Sequence, residues 1–184
     1  MSVLAGTTEG SIDLNNISGD GLFLIKWRNQ IASCQTLLLE ETARRAPEVS
    51  FIHTIPGVVK GGIMRKPEGV RLAVIIALSS LFNPFVQTPP HECGERHLML
   101  ATSAIYPPSK DAAAVAGVPA VECLTVARGS NGKTGSGIYT VDNKGESAPA
   151  NVEKLLAKFR QDGTAEKVLE HVTEVAKRLT GTKN

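Results

Sequence analysis

The run Val49-Ser50-Phe51-Ile52-His53-Thr54-Ile55 is closed by Pro47 on one side and by Pro56-Gly57 on the other. It is rich in β-branched and aromatic residues, and the prolines cannot continue a hydrogen-bonded ladder, so it reads as a strand buried in a sheet. Ahead of it, Ile31, Cys34, Leu37 and Leu38 recur at helical spacing within residues 22–45. Glu40, Glu41, Arg44 and Arg45 give this helix a polar end, and Pro47 stops it. A long helix feeding a buried strand is half of a βαβ unit. Ser2-Val3-Leu4-Ala5-Gly6 looks like the end of a further buried strand, so the first 55 residues predict two parallel strands joined by a right-handed crossover. A core strand this close to Met1 would lack a neighbour for its backbone groups, so a preceding portion is expected to be missing. A short edge strand is the alternative.

The rest of the chain continues the α/β pattern. An apolar helix is expected over residues 70–82, a third over 92–101, and Pro107-Pro108 then breaks the chain. Residues 121–127 read as a strand, 129–137 as a Gly/Ser loop, 138–141 as a short strand and 142–145 as a turn. Two helices finish the chain. Val152, Leu155, Leu156 and Phe159 share a face of the first, and Val168, Val172, Val175 and Leu179 make a buried stripe on the second. Gly163 suits the C′ position between them and Thr164 the next N-cap.

The 184 residues suit one domain spanning 1–184, and 42% hydrophobic content is enough for a core. A formal charge of +2 argues against nucleic acid, whose phosphates demand a basic excess. No apolar run approaches the roughly 20 residues of a membrane helix, so no membrane is expected. Three scattered cysteines, Cys34, Cys93 and Cys123, fit a reducing, cytoplasmic setting better than a disulfide framework.

Few motifs carry chemistry. Gly129-Ser130-Asn131-Gly132-Lys133-Thr134 imitates a phosphate loop, but Ala127 stands where the leading glycine should be, and a strand follows instead of a helix. It reads as a hairpin loop. His91, Cys93 and His97 are possible metal ligands, yet no second cluster completes a closed zinc site, and Arg96 opposes a cation. No metal is assigned. Cys34 and Cys123 sit in packing positions, and no catalytic residue is assigned. Ile55-Pro56-Gly57-Val58-Val59-Lys60-Gly61-Gly62-Ile63 is the most informative segment, an ordinary strand-to-helix turn being the alternative. It leaves the carboxyl end of a strand, where open α/β sheets bind ligands, and Pro and Gly let a backbone turn sharply and approach a flat group.

Strand end, long helix, strand, Pro-Gly-Val-Val segment and apolar helix stand in the order of the C-terminal half of a short-chain dehydrogenase/reductase. More narrowly, residues 2–10, 45–53, Cys93-Gly94-Glu95-Arg96-His97 and 159–167 resemble fungal short-chain dehydrogenase-like proteins, and the resemblance covers nearly the whole chain. It implies a Rossmann-type fold that uses NAD or NADP to move a hydride, with a Tyr-x-x-x-Lys pair for proton transfer and a Ser orienting the substrate carbonyl. The matching positions here fall near Trp27 and Ile31 for the pair and near Val3 for the serine. The Thr that contacts the cofactor amide aligns with Gly61. The glycine-rich cofactor loop would precede Met1. Pro56, Gly57, Val58 and Val59 remain as nicotinamide-side contacts.

The expected fold is thus a partial Rossmann-type three-layer sandwich, with few, mainly parallel strands flanked by helices. The expected function is an NAD(P)-dependent oxidoreductase-like protein of this ancestry, related by analogy to secondary metabolism. It would be inactive alone, and complemented by an N-terminal half or a second copy. Its small-molecule substrate is not readable. The alternative is a non-catalytic assembly module that pairs through an exposed sheet edge.

Overall fold

In the computed structural model, residues 1–59, 87–110, 117–119 and 125–181 are described. Along the chain come β1 (Ser2–Val3), α1 (Leu24–Arg45), β2 (Phe51–Thr54), β3 (Val58–Val59), β4 (Gln87–Thr88), α2 (Pro90–Thr102), β5 (Ile138–Val141), α3 (Ala150–Gln161) and α4 (Thr164–Thr180). β1, β2 and β5 form a parallel three-stranded sheet in the order β1-β2-β5. Ser2 lies opposite His53 and Val3 opposite Thr54, so the first strand does flank the strand that runs out at Pro56. β1 has two residues, and Met1, Val3 and Leu4 beside it are 53%, 47% and 42% exposed.

The pleat sorts the strand side chains into two layers. Ile52, Tyr139 and Val141 point to one face and pack with Leu100 of α2 and with Ile105 and Tyr106 beyond it. The Tyr106 and Tyr139 rings meet edge to face, 5.3 Å apart. Tyr139 donates its hydroxyl to the carbonyl of Pro107 at 2.6 Å. On the opposite face α1 covers His53 and Thr140, α4 packs against α1, and α3 packs against α4. Cys34, Leu37, Ala148, Val152, Leu156, Phe159 and Val168 form the core there. The result is α/β with parallel strands sandwiched by helices, a partial Rossmann-like arrangement.

Several expectations need correction. Thr164 is not an N-cap but the first residue of α4. Gly163, at φ +78°, ends α3 and caps α4 together, and the Thr164 N–H donates to Asp162 Oδ1 at 3.1 Å. Two linking residues leave no room for a separate cap. The α4 stripe is buried only at its start. Val168 is fully buried, Val172 and Val175 are half-buried, and Leu179 is 77% exposed, because the last turns outrun the packing of α1 and α3. The strand expected over 121–127 lies partly outside the described residues, and 125–127 carry no strand. The helix over 70–82 lies wholly outside them, as does Cys123. Val58 and Val59, read as loop, pair in parallel with Gln87 and Thr88. No helix among the described residues is long and apolar enough to cross a membrane.

Candidate functional site at the carboxyl edge of the sheet

Three chain segments leave the carboxyl ends of the parallel strands side by side. After β1 the backbone crosses the sheet. A Cβ on Gly6 would stand 2.4 Å from the His53 carbonyl oxygen and 2.9 Å from that of Val141, so only glycine fits between β2 and β5 here. After β2 comes Pro56-Gly57, with Gly57 at φ +73°, and a Cβ added there would stand 2.9 Å from Asn143 Nδ2. After β5, Asp142 to Glu146 make a tight turn. Asp142 Oδ1 accepts from the N–H groups of Lys144 and Glu146 at 2.8 and 2.9 Å. Arg96 of α2 donates to the Asn143 carbonyl at 2.8 Å. Val58 is 48% exposed at this edge.

Beneath the edge lies a polar network that the reading of the sequence missed. Glu9 and His53 are both buried, their side chains fully so. Glu9 Oε1 accepts from the hydroxyls of Thr36 at 2.7 Å and Thr140 at 2.6 Å. His53 Nδ1 lies 2.8 Å from Thr36 Oγ1, and its Nε2 accepts the Ala5 N–H at 3.3 Å. Because Nε2 accepts, the proton sits on Nδ1 and is donated to Thr36, which in turn donates to Glu9. Burial keeps the ring neutral, with its pKa lowered to about 4, and burial also raises the Glu9 carboxyl above its ordinary value. Glu9 Oε2 is buried with no partner among the described residues. On α1, Gln30 and Ser33 continue the polar stripe. Gln30 binds Asp13, Asn16 and Ile17 of the loop, and Ser33 binds Gly10. One signal was available in advance: Gln30, Ser33 and Thr36 recur every third residue on a helix whose other inward positions are apolar.

This network has no exposed acid or base, so its work is to hold the 5–13 segment on the sheet. The edge above it offers a glycine face, an apolar valine and a carboxamide, which suits binding a flat polar ring rather than shuttling protons. Pro56, Gly57, Val58 and Val59 all sit at this edge. Trp27 and Ile31 ride on the early turns of α1, with Trp27 40% exposed, and neither side chain carries an acid or base. Lys26 lines a separate cavity of about 300 Å³ with Ser11, Asp13 and Asn29. The 129–134 segment is a closed turn. Gly129 N–H donates to the Lys133 carbonyl, and Arg128 bridges antiparallel to Thr134. On α2, His97 Nδ1 lies 2.7 Å from the Cys93 carbonyl oxygen and 3.5 Å from its sulfur. Cys34 is buried in the core and its thiol is pushed up to about 11 by that burial.

Fold and site define an α/β chain whose three parallel strands release the chain along one carboxyl edge. Across 93% of its length the chain is 33% identical to a protein named Oxidoreductase AN1596 from Emericella nidulans. Across 98% it is 31% identical to Oxidoreductase andH from Emericella variicolor. It covers 51% and 53% of those proteins, so the chain spans about half the length of the curated relatives it matches. No protein-family model matches the chain. No solved structure matches it.

Proposed function

We propose that this chain is the nicotinamide-side half of an NAD(P)-dependent oxidoreductase of short-chain dehydrogenase/reductase ancestry. A complementing half would supply the rest of the cofactor site. One observation carries the reading: β1 and β2 are parallel neighbours, and Pro56-Gly57 leaves the carboxyl end of the strand between β1 and β5. The likeness to two fungal proteins named oxidoreductases, over half their length, supports it.

The residues fit one end of a pyridine dinucleotide and not the other. Gly57 and Val58 offer a flat apolar shelf at the sheet edge, with Asn143 beside it. A pyrophosphate needs free N–H groups at a glycine-rich helix start. Phe23, Pro89 and Pro149 cap α1, α2 and α3, so those described helices offer no such start. When bound, the cofactor would supply hydride transfer. The chain's part would be to seat the ring at Pro56, Gly57, Val58 and Val59, with segment 5–10 and the Asp142–Glu146 turn closing the edge. Trp27 and Ile31 carry no proton-transfer group, so the acid/base step falls to another residue or to the complementing half. The free thiols of Cys34 and Cys93 agree with a reducing, cytoplasmic setting.

Calorimetric titration of NADH and NADPH into the chain alone tests the reading. Weak binding in the millimolar range is expected, and micromolar binding would overturn the claim that a second half is needed. A second reading is an assembly module. The exposed Met1, Val3 and Leu4 along the β1 edge favour it, because an open edge with apolar side chains invites another strand. Native mass measurement on the chain and on Val3→Lys separates the two. A stable dimer lost on that substitution supports assembly, and a monomer in both opposes it.

A further inference from the structure

Asn143 is held more firmly than a surface turn residue needs to be. Asp142 Oδ1 accepts from Lys144 and Glu146, and the Gly145 N–H donates to the Asp142 carbonyl at 3.1 Å. Gly145 takes φ +85°, and its carbonyl accepts the Tyr106 hydroxyl at 2.7 Å. Arg96 grips the Asn143 carbonyl itself and is in turn paired with Glu92. The turn is therefore fixed from within, from α2 and from the Tyr106 side. The Asn143 side chain is not consumed by any of this. Its carboxamide makes no hydrogen bond to a described residue and stands beside Gly57, where a Cβ would come within 2.9 Å of Nδ2 and 3.3 Å of Cγ.

We infer that Asn143 is the residue of this edge that recognises a ligand's carboxamide, pairing amide to amide with the pyridine-3-carboxamide of a nicotinamide nucleotide seated on Gly57. This rests on the proposed nicotinamide-side reading and adds a specificity-determining residue to it. A carboxamide has one carbonyl acceptor and an NH2 donor in the same plane, so two of them can pair edge to edge with each N–H donating to the other's oxygen. The backbone that carries this amide is already fixed, which limits the freedom lost on binding, and an amide partner uses both its donor and its acceptor where a carboxylate would leave the donor half unmatched. Gly57 is the necessary neighbour, because any side chain there would push Asn143 off the shelf.

The test is amide chemical-shift mapping on the full chain, titrated to millimolar concentration with nicotinamide mononucleotide and, separately, with nicotinic acid mononucleotide. Shifts are expected at Gly57, Val58 and the Asn143 side-chain amide with the first ligand. The acid should bind several-fold more weakly. Asn143→Ala and Asn143→Leu should each weaken nicotinamide mononucleotide roughly three- to tenfold, as one lost hydrogen bond implies. They should also erase the preference for the amide, while unperturbed backbone spectra report an intact fold. If the amide ligand shifts Gly57 and Val58 equally in the wild type and in both variants, the role of Asn143 is overturned and the nicotinamide-side reading stands. If neither ligand moves this edge, both fall.

Discussion

The backbone N–H of Thr7 donates to the hydroxyl of Thr140 at 2.8 Å, joining residues 133 positions apart and holding Thr7 at φ +67°. A β-branched residue rarely accepts that left-handed conformation, so the bond and the Glu9 network behind it keep a strained residue at the carboxyl edge. Thr7→Gly should relieve the strain and raise stability by about 1 kcal/mol. Thr140→Val removes the anchor and leaves Glu9 with one partner fewer, and should cost about 1–3 kcal/mol. Chemical denaturation measures both. A destabilised Thr7→Gly would show that the threonine side chain, rather than the anchored backbone, stabilises this corner.

His53 gives the chain an acid-side stability slope. Its folded pKa is lowered from 6.5 to about 4 by burial, so between those values the unfolded chain takes up a proton that the folded chain refuses. Stability must therefore fall as the pH drops through that window, by something of the order of 1–3 kcal/mol, and level off below it. Burial raises Glu9, the Thr140 and Thr36 hydroxyls oppose that, and the Glu40 charge adds to it. Its contribution has the opposite sign: it favours the folded state at low pH and is lost as the pH rises above 4.5 through the folded value. His53→Gln should flatten the fall in stability between pH 7 and pH 5, read from denaturation midpoints, and Glu9→Gln should steepen it. Identical profiles in all three proteins would contradict the burial of His53 and Glu9 against their charged forms.

Gly6 and Gly57 should differ sharply in tolerance. At Gly6 a Cβ would meet backbone carbonyls on both sides, which cannot move without opening the sheet, so Gly6→Ala should cost about 3 kcal/mol or more. At Gly57 the obstacle is the Asn143 side chain together with φ +73°, so Gly57→Ala should cost about 1–2 kcal/mol and leave the protein folded. Thermal unfolding ranks the two, and an equal loss would mean that the crossing at Gly6 is looser than described.

The two described cysteines should part company toward alkylating reagents. Cys34 is 6% exposed in the α1–α3–α4 core, with its thiol pushed up to about 11, whereas Cys93 is half-buried on α2. Iodoacetamide followed by peptide mapping should label Cys93 in the native protein and Cys34 only in denaturant. Native labelling of Cys34 would place that helix interface in doubt.

The sheet was legible in the sequence because prolines and β-branched residues fence β2, and because α1 is long enough to carry the chain back to the start of a parallel neighbour. The Pro56–Val59 segment was legible for the same reason: a strand that stops at Pro-Gly must release the chain at its carboxyl end. The Glu9–Thr36–His53–Thr140 network was not. His53 sits in an apolar strand run and Glu9 in a polar loop, and only the sheet's register brings Thr140 opposite His53, where the loop can reach both. Asn143 was hidden inside an ordinary turn motif, because its contact with Gly57 depends on where two strands end, not on either segment alone. Helix ends misled where spacing was tightest, as at Thr164, and where a stripe outlasts its partner, as at Leu179.

Hydrogen–deuterium exchange of the full chain with and without millimolar NADPH tests most directly whether the carboxyl edge is the binding site. Slowed exchange is expected in three stretches: residues 4–10, 55–59 and 142–146. Protection confined to the Lys26 cavity or to the 129–134 turn, with those three stretches unchanged, would contradict it.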